Sequence, residues 1–104
     1  MSNVDKVFEA LSSTVRRKIL AYVSESPLSA GDIAEKFQMS QPAISKHLKI
    51  LENAELVDKT RDGQFIYYEM RKDTLSGTLA GYMQQVCPPS RALKKERRSK
   101  KKLT

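Results

Sequence analysis

Apolar residues fall at helical spacing five times along this chain and at strand-like spacing once. Val4, Val7, Phe8 and Leu11 recur at i, i+3, i+4 and i+7, so the chain opens with a short amphipathic helix. Ser12 and Ser13 interrupt it, and Ser13 is placed to cap a second helix whose stripe is Val15, Ile19, Leu20 and Val23. Arg16, Arg17 and Lys18 lie off that stripe and can face phosphates or water; Pro27 closes the segment. Ser29 and Asp32 have capping-box spacing, with Asp in the usual place of Glu, and Ala30, Ile33, Ala34 and Phe37 follow as a two-turn stripe.

Gln38 and Met39 then lead to Ser40, a helix cap, with Pro42 acceptable in the first turn. Ile44, Leu48 and Leu51 form the buried line of this fourth helix. Its other side carries Gln41, Ser45, Lys46 and Lys49, with no acid before Glu52. Such a face suits a DNA major groove, although alone it also fits an ordinary surface helix. Two short helices joined by about three residues, the second polar and basic on its free face, form a helix-turn-helix pattern.

After Ala54 the period changes. Leu56 and Val57 sit in one short run, and Gln64 to Met70 is rich in aromatic and β-branched residues. Asp62-Gly63 between them supplies the positive φ of a tight hairpin turn. Lys59, Arg61 and Gln64 are expected near its tip, where a wing can reach sugar-phosphate or the minor groove. The same hairpin could instead only cover the core. Asp73 or Thr74 is expected to cap a last helix with Leu75, Leu79, Tyr82, Met83 and Val86 on its apolar side. Gly77 and Gly81 weaken that helix in isolation and permit another helix to come close.

The expected fold is mainly α with a small β-hairpin: a winged helix-turn-helix of about five helices and a two-stranded wing. The first and last helices hold more apolar surface than one small core needs. Homodimerisation through Val4, Val7, Phe8, Leu11, Leu75, Leu79, Tyr82, Met83 and Val86 is preferred over a purely intrachain role.

Charge changes the picture in one place. The formal net charge is +7, yet residues 88–104 hold eight basic side chains against Glu96 alone, so residues 1–87 are balanced. Residues 1–87 therefore read as the folded DNA-binding and dimerisation domain, and 88–104, after Pro88-Pro89, as a basic disordered tail. No apolar run approaches membrane-spanning length and no signal peptide is visible at the start, so a soluble, cytoplasmic protein without membrane insertion is expected.

The reactive residues are few. Cys87 alone excludes an intramolecular disulfide; it is an incidental thiol or, if symmetry supplies a second copy, an intersubunit redox switch. His47 has no Cys, Asp or Glu at ligand spacing, so no metal and no cofactor are expected. No nucleophile–base pairing or Gly-rich phosphate loop is present, which argues against an enzyme.

Four segments together resemble the ArsR family of bacterial winged-helix repressors. Val7 to Leu11 leading into Thr14 to Leu20 is similar to the family's opening, although the family often has Asp-Pro where Ser13 and Val15 flank Thr14. Ser29 to Ala34 is similar to its positioning helix. Ser40 to Leu51 with Ala54 to Val57 is the most specific match, and Gly63 to Tyr68 resembles its wing. The likeness covers about residues 4–86 and is greatest to the autorepressor branch related to the sporulation-delay repressor. It implies a homodimeric repressor of a palindromic operator, contacting double-stranded DNA through Ser40, Gln41, Pro42, Ala43, Ser45, Lys46, His47, Lys49, Lys59, Arg61, Gly63 and Gln64. For His47 the resemblance implies packing or phosphate contact. The family's metal sensors carry Cys-x-Cys on the positioning helix, or Asp and His pairs on the last helix. Asp32 to Phe37 has no cysteine and Thr74 to Val86 has neither acid nor histidine, so metal sensing does not carry over. Two alternatives stay open: a sensor of the same fold for an unknown effector or for thiol chemistry at Cys87, and a winged-helix protein-interaction module that does not bind DNA.

Overall fold

A serine hydroxyl marks the start of three of the five helices in the computed structural model, which describes residues 3–87. The expectation of a disordered tail at 88–104 lies outside those residues. Helix α1 spans Asn3–Leu11, α2 Thr14–Glu25, α3 Ala30–Phe37, α4 Gln41–Asn53 and α5 Lys72–Val86. Ser13, Ser29 and Ser40 each accept a bond from the backbone N–H three residues on, satisfying a donor that the helix leaves unpaired. Ser29 and Asp32 complete a reciprocal capping box. The start of α5 differs from expectation: Arg71 is its cap residue and no side chain caps it.

Helices α3 and α4 both end on a left-handed residue that is not glycine. Gln38 has φ +53° and Glu55 φ +58°. Met39 N–H bonds to Ala34 and Gln38 N–H to Glu35; Leu56 N–H bonds to Leu51 and Glu55 N–H to Glu52. Both are Schellman closures, which pair the last carbonyls and reverse the chain sharply. The first sets the three-residue turn before α4. The second delivers the chain into the hairpin, with Leu51 and Leu56 buried on either side of it.

The two-stranded wing is present, and a third antiparallel strand joins it in one sheet. β2 (Val57–Asp62) and β3 (Phe65–Met70) form the hairpin, and β1 (Leu28–Ser29) adds to the other edge of β3 through Leu28↔Tyr68 and Ser29↔Tyr67. β1 is two residues long and shows no alternation, so no periodic signal announces it. The hairpin turn is also displaced by one residue. Asp62 pairs with Phe65, so Gly63-Gln64 are the central positions. Only Gly63, at φ +64°, is left-handed there, as in a II′ turn rather than the I′ turn of an Asn-Gly or Asp-Gly centre.

Among the described residues, thirteen buried apolar ones form one core between the helices and the base of the sheet. Ile19 and Val23 from α2, Ile33 from α3, and Ile44, Leu48 and Leu51 from α4 lie at its centre. Val7 and Ala10 are the α1 residues that enter it, both 0% exposed. Val7 therefore does not belong with the dimer face: the α1 line toward the core runs through Val7 and Ala10, three apart, and leaves Val4 and Phe8 outside. α5 buries no residue fully. Leu75 packs against the core edge and Tyr82 meets Phe8 edge-to-face at 4.9 Å, while Met83 and Val86 are more than half exposed. Side chains added at Gly77 or Gly81 would meet nothing within 4 Å, so among the described residues no helix makes the close approach they permit.

Candidate nucleic-acid interface

Burial of Ile44, Leu48 and Leu51 fixes the rotation of α4 and turns Gln41, Ser45, Lys46 and Lys49 outward, all exposed. Ser40 and Pro42 are exposed at the helix start, and Ala43 and His47 are half-buried. The Ser40 hydroxyl oxygen is committed to the Ala43 N–H. α3 supports α4 from behind through Ile33, Ala34 and Phe37.

The wing joins the same surface. A cleft of about 330 Å³ is lined by Ser29, Ala30 and Gly31 at the start of α3, Gln41 and Ser45 on α4, and Gln64, Phe65, Ile66 and Tyr68 on the hairpin. Gly31 lies beside the Gln41 carboxamide, whose oxygen is 3.6 Å from where a Cβ would sit, an ordinary contact distance. Tertiary packing thus brings the free face of α4 and the hairpin tip together. Arg61, Gly63 and Gln64 are exposed at that tip. Phe65 and Ile66 are exposed there too, at 52% and 38%.

The basic residues divide. Among the described residues Lys46 and Arg61 form no ion pair. Lys49 and Lys59 converge on Glu52, at 3.6 and 3.2 Å. Lys59 is therefore directed to the C-terminal end of α4 rather than to the wing tip. Glu52 was legible only as the first acid on the helix; its bridge to β2 needs the folded hairpin. Arg71 anchors the wing's base, donating its N–H to the Leu56 carbonyl and lying 3.7 Å from Glu55 and 3.5 Å from Asp58.

Arg16 and Arg17 are not held out toward phosphates. Arg17 donates to the Leu11 carbonyl at 2.6 Å and to the Thr14 hydroxyl. Arg16 donates to the carbonyls of Ala10 and Glu9, and its third nitrogen is 3.2 Å from Nδ1 of His47. Both arginines thus close the C-terminal end of α1. Burial, and secondly the Arg16 charge, hold the His47 pKa below its usual 6.5. Cys87 is an exposed free thiol at the end of α5. Among the described residues no three His, Cys, Asp or Glu side chains gather to hold a metal ion, and no helix is long and apolar enough to cross a membrane.

A positioning helix, a three-residue turn, a second helix with a free polar face and an adjoining hairpin define a winged helix-turn-helix protein. The model for the bacterial regulatory protein, arsR family, matches residues 13–59. The chain is 45% identical over 76 residues to the transcriptional repressor SdpR of Bacillus subtilis (strain 168), covering 73% of this chain and 84% of that protein. It belongs to the arsR family of bacterial regulatory proteins. An ArsR-like transcriptional regulator from Rhodococcus sp. RHA1 superimposes with a TM-score of 0.80 at 27% identity, over 96% of this chain and 92% of that one. Mb0332 from Mycobacterium bovis, solved as a homodimeric winged helix-turn-helix DNA-binding domain, shares the fold at a TM-score of 0.68 and 24% identity, over 78% of this chain and 76% of that one.

Proposed function

We propose that this protein is a homodimeric transcriptional repressor that binds a palindromic operator in double-stranded DNA, and so works in the cytoplasm. The observation that carries the reading is the shared surface of α4 and the wing, where Gln41, Ser45 and Gln64 line one cleft and Lys46 stands exposed on the same helix. Gln41, Ser45 and Lys46 are assigned to base edges, and Lys49, Lys59, Arg61 and the turn at Gly63 to phosphate and sugar. The balanced charge of residues 1–87 makes local pattern, not bulk attraction, the source of selectivity.

The second subunit is assigned to the apolar remainder of α1 and α5. Val4, Phe8, Tyr82, Met83 and Val86 are exposed large hydrophobics on two helices that already touch through Phe8 and Tyr82. An isologous pairing of that face sets two α4 helices about 34 Å apart, one turn of DNA. Cys87 adjoins this face, so a twofold axis can bring two thiols together; no effector is assigned.

Selection of genomic DNA fragments by the purified protein, with its mass measured in solution, tests both parts. The reading requires a dimer and an inverted-repeat consensus. A monomer at micromolar concentration bound to a single unrepeated site refutes it.

A further inference from the structure

Every nitrogen of the Arg16 guanidinium is engaged inside the protein. Nε donates to the Ala10 carbonyl at 2.8 Å, and Nη2 to the Glu9 carbonyl at 3.0 Å, which also accepts from the Ser12 N–H and hydroxyl; both acceptors belong to the last turn of α1. Nη1 is directed at α4, 3.2 Å from Nδ1 of His47. A guanidinium has donors and no acceptor, so this contact is a hydrogen bond only when Nδ1 carries its lone pair. The imidazole is then neutral, with its proton on Nε2. Protonating Nδ1 would set a second hydrogen against Arg16 and a like charge beside it.

The other ring nitrogen is left unengaged. Nε2 has no partner among the described residues, and no buried side-chain nitrogen or oxygen lacks one, so its N–H is open to solvent. His47 lies between Lys46 and Lys49 in sequence, at the margin of the exposed α4 face. We propose that Arg16 is a positioning residue for DNA binding: anchored on α1, it holds His47 as the Nε2–H tautomer and sets that N–H as a fixed donor for a phosphate oxygen of the bound duplex. The phosphate role rests on the DNA-binding reading above; the tautomer does not. The charged group that the structure places at the ring is Arg16 from α2; Lys46 and Lys49 are its neighbours on α4, and Lys6 and Glu9 of α1 line a separate groove with Ile50 and Asn53.

The chain has one histidine, so its imidazole ¹⁵N signals form a single set. Long-range ¹H–¹⁵N spectra of the full-length protein, titrated across roughly pH 5 to 8, read tautomer and protonation directly. The expected neutral form is Nε2–H alone. Arg16→Met removes the donors; the Nδ1–H tautomer should then appear and the midpoint should rise. A mixed or Nδ1–H tautomer in the unsubstituted protein overturns the clamp. Because Arg16→Met also releases α1 and can unfold the chain, His47→Gln and His47→Asn provide a separate test. The Gln amide reaches the place of Nε2, and the Asn amide that of Nδ1. On the selected duplex His47→Gln should stay within about threefold of the parent, while His47→Asn should bind roughly ten- to a hundredfold more weakly, the loss expected for one hydrogen bond to a charged group. Equal affinities for the two variants overturn the phosphate role. Failure of the unsubstituted protein to bind any duplex overturns the DNA-binding reading and the phosphate role together, and leaves the clamp to be judged by the spectra.

Discussion

Replacing Glu52 by Gln should strengthen DNA binding, and the structure sets the size of the effect. The Glu52 carboxylate pairs with Lys49 on its own helix at 3.6 Å and with Lys59 on β2 at 3.2 Å. The lysine side chains are 67% and 50% exposed, so water screens both pairs. Exposed pairs contribute roughly 0.2–1 kcal/mol each. In the proposed complex both lysines turn to phosphates, and each must leave the carboxylate or carry it into the negative field of the backbone. Removing that competition for two pairs yields about 0.5–2 kcal/mol, or roughly two- to thirtyfold in Kd. Up to two more phosphates are neutralised, steepening the slope of log affinity against log salt by at most about 1.8. Gln keeps the shape, and the loss of a negative charge near the end of α4 suits the helix dipole, so the fold should persist. Fluorescence anisotropy with a labelled operator and a random duplex, at several salt concentrations, measures these quantities together. Both duplexes should gain alike, because the freed charges read no sequence. Unchanged affinity and slope on both would place Lys49 and Lys59 away from DNA and refute the interface drawn here. A gain on the operator alone would refute the charge argument.

Gln41→Ala should cost roughly 1–3 kcal/mol on the operator and relax preference at one base pair; equal loss on random DNA would move Gln41 to the phosphate contacts. Met83→Glu, at a residue 58% exposed and outside the core, should yield a folded monomer with weakened operator binding, read by light scattering and circular dichroism. A dimer of unchanged mass would exclude this face. The lowered His47 pKa gives stability a defined pH dependence: in the window between the folded value and 6.5 the unfolded chain binds more protons. Stability is therefore complete above 6.5 and falls as pH drops through the folded value; urea melts should show the decline, and His47→Gln should flatten it. Truncation after Pro89 removes the segment that holds the net charge, so the salt slope should become shallower with the preferred sequence unchanged, which repeated selection of bound DNA would check.

The sequence by itself determined what depends on neighbours a few residues apart. Ser13, Ser29 and Ser40 cap the helices they precede because a hydroxyl at that position meets a backbone N–H three residues on. The burial of Ile44, Leu48 and Leu51, and the outward face of Gln41, Ser45, Lys46 and Lys49, follow from 3.6 residues per turn and the drive to bury apolar surface. Only the tertiary structure decided features that join residues far apart. Strand β1 exists because β3 offers it an edge, and the hairpin turns at Gly63-Gln64 because Val57 opposite Met70 sets the register from the buried end of the ladder. Periodicity counts residues in a helix but does not choose which side of α1 meets α2 and α4, so Val7 went into the core while Val4 and Phe8 stayed outside. A charged side chain's local pattern likewise does not name its partner. Glu52 meets Lys59 only when the hairpin folds back beside α4, and Arg16 meets His47, thirty-one residues on, only when α2 and α4 pack. These long-range contacts form when burial of the shared core brings the elements together, and they assign each basic residue to solvent, to an acid or to the end of another helix.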